Sequence, residues 1–192
     1  MRNGPWTHSS ENARAYPRDS EHFVEPQWVS ERLFEEEKFA GWIYDPACGF
    51  GRIVESATAA GLKAYGSDLA DRDYGIRRDF FKHNKRHDNI VTNPPFDQLE
   101  AFARHAVELS KCKTAVIAPT ARLNAARWLR ELPLRRILLL TPRPSMPPGH
   151  VVKSGGKTTG GKQDYCWLIF ERGYVGRPEL DWLHRDGGKA CS

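Results

Sequence analysis

The segment Thr92-Asn93-Pro94-Pro95-Phe96 ends an apolar run, Ile90-Val91, with residue types that a plain turn does not need. Two consecutive prolines remove two backbone donors and fix two φ angles, and a residue that precedes proline is held extended. Asn93 is therefore expected on a stiff step off a strand end, its amide beside the Phe96 ring. Such a step presents a fixed hydrogen-bonding group next to an aromatic surface. Three other groups have comparable chemistry. "DPACGFG" (45–51) sets Asp45 against a Gly49-Phe50-Gly51 turn. Asp68 ends "KAYGSD" (63–68), 23 positions after Asp45. Asp79-Phe80, in "YGIRRDFF" (74–81), puts an acceptor and a ring side by side.

These groups need elements to hold them. Apolar runs and amphipathic stretches alternate from residue 42 onward, and short strands are expected at 42–45, 63–68, within 74–81, and at 89–93, 114–119, 135–141 and 164–170. Helical spacing appears at 52–62, with Ile53, Val54 and Ala57 on one side and Gly61 as a stop. It recurs at 97–110, with Leu99, Phe102, Ala103, Ala106 and Leu109 on one side, and again at 120–132. This alternation predicts an α/β fold with a doubly wound, mostly parallel seven-stranded sheet. The connector 142–163, rich in Pro, Gly and Lys, cannot supply a crossover helix, so the last strand is expected antiparallel to the sixth, as an irregular hairpin at one edge. Ligands of such sheets bind outside the carboxyl ends of the strands, where the strand order switches. All four groups fall at such ends, and that shared placement outweighs any one of them.

The Gly49-Phe50-Gly51 turn permits close approach of a ligand to the backbone. Val54 stands where a dinucleotide fingerprint needs glycine or alanine, and no GK[ST] follows, so a nucleoside-like ligand fits better than a pyrophosphate. Asp68 is placed to accept hydrogen bonds from ribose hydroxyls. Asp79 could hold an adenine amino group and Phe80 cover the ring, although Phe81 is the alternative for the ring that packs inward. Each has a bland alternative: a structural turn for the glycines, a helix cap or solvated turn for Asp68, a satisfied buried carboxylate for Asp45, and a rigid loop with a buried ring for the Asn93 segment.

Taken in order, "DPACGFG", "GSD", "RDFF" and "TNPPF" resemble the motif series of S-adenosylmethionine-dependent amino-methyltransferases, in particular DNA adenine-N6 methyltransferases whose cofactor motifs precede an (N/D)PP(Y/F) tetrapeptide. The resemblance spans roughly residues 22–170. "HFVEPQWVSERLFE" (22–35) resembles the family's N-terminal cofactor segment, where a proline, here Pro26, opens a helix. The connector and the "DYCWLIF" strand resemble the same region of small phage-type adenine methyltransferases. The resemblance implies a Rossmann-like class I methyltransferase fold. It also implies S-adenosylmethionine held by Pro26, Asp45, Ala47, Gly49, Gly51, Asp68, Asp79, Phe80 and Asn93, and catalysis by Asn93, Pro94, Pro95 and Phe96. In that chemistry the Asn93 side-chain oxygen and the Pro94 carbonyl each accept an N–H of an exocyclic amine, while Phe96 stacks on the base. No metal and no covalent enzyme intermediate is required, and a base in a duplex would have to be flipped out.

Composition supports one soluble domain: 192 residues, 40% hydrophobic and 28% charged, with no apolar run long enough for a membrane span. Residues 1–21 read as a polar lead-in without a signal core, 22–171 as the domain and 172–192 as a tail, with the cytoplasm as the default location. Cys48, Cys112, Cys166 and Cys191 form no CxxC pair and are expected as reduced thiols. Residues 1–100 carry 13 Lys/Arg against 17 Asp/Glu, whereas residues 101–192 carry 16 against 7, which suits a polyanionic partner at the C-terminal half. Arg143, His150, Lys153, Lys157 and Lys162 of the connector could contact phosphates. With only residues 172–192 after the last expected strand, no separate target-recognition domain is expected, and a partner could supply specificity. DNA adenine is the first substrate expected; an RNA base amine, a protein glutamine amide and a non-catalytic cofactor- or nucleic-acid-binding module stay open.

Overall fold

The computed structural model describes residues 23–156 and 161–187. The expected lead-in therefore lies outside the described residues, as do Lys157 and Cys191. Pro26 caps α1 (Gln27–Glu36) with extended backbone at φ −65°. β1 (Ile43–Asp45) follows, then the glycine turn and α2 (Arg52–Ala59), whose Ile53, Val54 and Ala57 are buried as their spacing required. Gly61, at φ 79°, ends that helix and returns its N–H to the Thr58 carbonyl. β2 (Ala64–Asp68), β3 (Ile76–Arg77) and β4 (His87–Thr92) lead to α3 (Leu99–Leu109), which buries all five apolar residues of its predicted face. β5 (Ser110–Pro119), β6 (Leu134–Thr141), the short α4 (Gly149–Lys153), β7 (Tyr165–Glu171) and β8 (Glu179–His184) complete the chain.

The sheet has eight strands, in the order β3-β2-β1-β4-β5-β7-β6-β8, one more than the sequence suggested. β7 lies antiparallel between β5 and β6, while β8 is parallel to β6. The 164–170 strand, β7, is thus antiparallel to β6 as expected, but the parallel β8 follows it, and the β6–β7 pair is interior rather than an edge hairpin. β8 was missed because Glu179, Leu180, Asp181, Trp182 and His184 are exposed and only Leu183 turns inward, so no buried face marked it. β3 also covers only Ile76–Arg77.

Residues 120–132 are not an α-helix. They form two 3₁₀ segments, Thr120–Ala125 and Arg127–Glu131, broken at Ala126. Leu123, Trp128 and Leu129 all pack into one cluster with Val116, Ala118, Leu168 and Phe170. On a straight helix, five positions would separate Leu123 from Trp128 by about 140°, so one face could not bury both. The break at Ala126 resolves the conflict, and packing overrides helix propensity.

α1 and α2 cover one face of the sheet through Val29, Leu33, Ile53 and Ala57, against Val91, Ile117, Trp167 and Leu183. α3 and the 3₁₀ segments cover the other. Among the described residues no helix is long and apolar enough to cross a membrane.

Candidate active site

Strand order reverses between β1 and β4: the chain runs outward through β2 and β3, then returns to β4 on the other side of β1. Tyr44 pairs with Ile90 across that junction, so Asp45 and Asn93 leave neighbouring strand ends. The switch point thus brings together two of the groups singled out by their chemistry. Asp45 is 1% exposed and accepts the Ala47 N–H at 3.1 Å. Burial pushes its carboxyl well above the usual range. Gly49 and Gly51 have φ of 53° and 86°. At Gly51 a Cβ would lie 2.2 Å from the Tyr74 ring, so only glycine fits beneath that ring.

Asp68, at the end of β2, organises the same turn. Its Oδ2 accepts the Gly49 N–H at 2.9 Å, its Oδ1 accepts the Ala70 N–H at 2.9 Å, and Arg72 Nε lies 3.6 Å away. Asp79 caps the 3₁₀ turn Phe80–Lys82 by accepting the Phe81 N–H at 3.0 Å. Of the two rings beside it, Phe80 is 3% exposed and packs on Phe102 and His105, while Phe81 is exposed. Both are aromatic, and sequence could not tell which one the turn would direct inward.

The tetrapeptide leaves β4 as expected. Asn93 Nδ2 donates to the Phe23 carbonyl at 2.9 Å and to Glu25 Oε2 at 2.8 Å. Pro94 is buried, and Pro95 opens a 3₁₀ turn over Phe96–Gln98. The Phe96 ring stacks on Phe23 at 6.0 Å with 14° between planes, and its other near neighbour is Tyr165 at 5.5 Å. Arg122 Nη1 donates to the Phe96 carbonyl at 2.8 Å. Glu25, Phe23, Tyr74 and Arg122 are therefore parts of this site that sequence reasoning missed. Only the quoted segment 22–35 pointed towards the first two, through Pro26.

Phe23, Glu25, Asp45, Ala47, Arg52 and Asn93 line a cleft of about 10 Å³. That is about the space a single water requires, roughly 10–15 Å³ on this measure.

The basic connector lies over this region. Val24 N–H bonds the Pro147 carbonyl at 2.9 Å, Phe23 pairs with Pro148, and Lys153 Nζ sits 5.5 Å from the centre of the Phe50 ring. Arg143 grips Asp164 through two hydrogen bonds, so its guanidinium is engaged within the protein, whereas His150 and Lys162 are exposed.

No protein-family model and no curated protein matches the sequence. Solved structures do match the fold. The M protein of the type I restriction enzyme EcoKI is 14% identical with a TM-score of 0.57, over 86% of this chain and 49% of its own. A modification subunit of a candidate type I restriction enzyme from Vibrio vulnificus is 17% identical with a TM-score of 0.54, over 86% and 46%. A candidate RNA methyltransferase from Pyrococcus horikoshii is 15% identical with a TM-score of 0.56, over 78% and 82%. The chain spans about half the length of the two restriction-enzyme subunits. What it shares with all three is the Rossmann-like methyltransferase fold.

Proposed function

We propose that the protein is an S-adenosylmethionine-dependent methyltransferase that modifies an exocyclic amino nitrogen, most readily adenine N6 in DNA. The observation that carries this reading is Asn93 at the switch point with its amide hydrogens bound by Phe23 and Glu25, which would leave its oxygen for an incoming amine.

The residues fit the cofactor. Asp45 and Asp68 flank the glycine turn with carboxylates suited to a cation and to ribose hydroxyls, and the left-handed Gly51 admits close approach. Bound there, S-adenosylmethionine supplies a methyl group on a positively charged sulfur. Asn93 Oδ1 and the Pro94 carbonyl would accept the two amine hydrogens and orient the nitrogen lone pair for attack. Attack of the nitrogen on that methyl would leave the electron pair of the broken bond on sulfur and put positive charge on the nitrogen. The two oxygens oppose that charge, and the prolines hold them in advance of the reaction. The proton leaves the methylated nitrogen for solvent. Phe96, with Phe23 and Tyr165 already against its ring, would meet the base with its remaining exposed surface.

The basic C-terminal half and the restriction-enzyme subunits among the structural neighbours support a nucleic acid, and the Pyrococcus neighbour gives RNA as the second reading. Of the connector cations, Lys162 and Lys157 remain proposed phosphate contacts; Arg143 would first have to release Asp164. The test is methyl transfer from labelled S-adenosylmethionine to double-stranded DNA, single-stranded DNA, structured RNA and protein extract, with Asn93→Ala as control. Label in DNA that disappears in the variant is expected. Label only in RNA or protein would replace the substrate, and cofactor binding with no label anywhere would leave a binding module.

A further inference from the structure

We infer that Glu25 is a positioning residue for this transfer: its buried carboxylate fixes the Asn93 amide with the oxygen turned to the acceptor nitrogen and strengthens that oxygen as a hydrogen-bond acceptor. The inference rests on the reading of Asn93 given above. Both partners of Asn93 Nδ2 are acceptors, Glu25 Oε2 at 2.8 Å and the Phe23 carbonyl at 2.9 Å. A backbone carbonyl cannot donate, so turning the amide over would set two oxygens against each other. With both N–H groups on one side, planarity puts Oδ1 on the other.

The clamp is itself held. Glu25 is 6% and Val24 4% exposed, Val24 is bonded to Pro147, Phe23 stacks on Phe96, and Pro26 fixes the chain immediately after Glu25. The carboxylate therefore cannot swing to water.

A charge at this place asks for a reason. A glutamine oxygen could accept the same bond without burying an anion. The anion adds something that glutamine lacks. Negative charge beside Nδ2 favours the amide resonance form with a more negative oxygen, and chains of hydrogen bonds strengthen one another in a dry interior. That oxygen faces the positive charge that develops on the attacking nitrogen. Glu25 is also faced by Arg52, which attracts its charge, and by Asp45, which repels it. Burial raises the Glu25 carboxyl above its ordinary range, so its charge is lost at a higher pH than that of a surface glutamate.

The test uses the full chain with Glu25→Gln, Glu25→Ala and Asn93→Ala, labelled S-adenosylmethionine, and DNA and RNA acceptors. Glu25→Gln is expected to lower kcat about tenfold, the difference between a charge-assisted and a neutral hydrogen bond, with acceptor KM and cofactor affinity unchanged. Glu25→Ala falls further. The wild-type rate drops at acid pH as Glu25 protonates, and in Glu25→Gln the drop shrinks to what the buried Asp45 contributes. NMR gives a readout that needs no turnover. The Asn93 side-chain amide signals, assigned by their loss in Asn93→Ala, are expected downfield and slow to exchange, and to move upfield in Glu25→Gln.

Unchanged kcat in Glu25→Gln beside an inactive Asn93→Ala overturns the inference, as does lost cofactor affinity at constant kcat. An active Asn93→Ala, or no transfer to any acceptor, overturns the methyl-transfer reading instead. The NMR signals then decide alone whether Glu25 holds the amide, and no response to Glu25→Gln sinks that too. Should Glu25→Gln fail to fold, wild-type Asn93 signals that ignore the protonation of Glu25 overturn the inference in its place.

Discussion

Asn93 carries two donors and one acceptor, and its neighbours decide which of them faces the cleft. Asn93→Asp removes both donors and sets a second carboxylate against Glu25 Oε2. One of the pair must then keep a proton, so its folded-state pKa rises. A raised carboxyl pKa stabilises at low pH and is lost as pH climbs through it. The variant should therefore be about 1–3 kcal/mol less stable than wild type at neutral pH, with the gap closing on acidification in thermal melts. Gly51 gives a second prediction at this scale. Gly51→Ala meets both the positive φ of 86° and the Tyr74 ring, and should cost about 1–3 kcal/mol. Combining it with Tyr74→Ala should recover only the part due to the ring, as a double-mutant cycle of denaturant midpoints would show. The need for a small residue at Gly51 was legible in the sequence. The ring above it, 23 positions along, was not.

At the scale of elements, β8 is the addition that the sequence did not announce. Leu183 is 1% exposed and belongs to the cluster of Trp167, Leu138 and Val29, although the rest of its strand is solvated. Leu183→Ala is expected to cost about 2–5 kcal/mol, an effect that a free tail would not show. The start of β4 also carries a titrating pair. His83 Nε2 and His87 Nε2 are 2.7 Å apart, His87 Nδ1 is 2.6 Å from the Tyr65 hydroxyl, and Tyr44 stacks on the His87 ring at 4.1 Å. Burial first, then the charges of His83, Arg78 and Lys111, pull the His87 pKa from 6.5 down to about 4, with Asp88 opposing. Between those values the unfolded chain binds a proton that the folded chain does not, so stability falls as pH drops from 6.5 towards 4. Melting temperatures across that range should decline in wild type and decline less in His87→Gln.

At the scale of the molecule, a buried ion-pair network and the candidate site lie at opposite ends of the sheet. Glu37, 3% exposed, closes α1 and meets Lys113, Arg135 at 3.0 Å and Arg136 at 3.1 Å, near the starts of β5 and β6. Burial pulls its carboxyl up, but the hydrogen bonds and charges of these cations outweigh that and hold it below the usual range. Its stabilisation is present above the ordinary glutamate pKa and lost on acidification. Glu37→Ala leaves three cations around a missing anion and should cost about 2–4 kcal/mol. Because this network lies away from Asn93, kcat per folded molecule should be unchanged. The basic excess of residues 101–192 therefore overstates the charge available to a partner, since Arg135, Arg136 and Arg143 are already engaged.

The sequence determined the doubly wound α/β plan, because strand and helix periodicities are local, and it located the chemistry at strand ends because glycine, proline and aspartate restrict the backbone where they stand. α3 shows how far such a pattern reaches: its spacing alone named every residue it buries. Tertiary structure decided what depends on residues far apart in the chain. It set Phe80 rather than Phe81 inward, broke 120–131 so that Leu123 and Trp128 could share a cluster, and made β8 a strand through one buried leucine. It also carried Glu25 across 68 positions to Asn93. A buried carboxylate has the same letter as a solvated one, and only the packed fold shows which amide it holds.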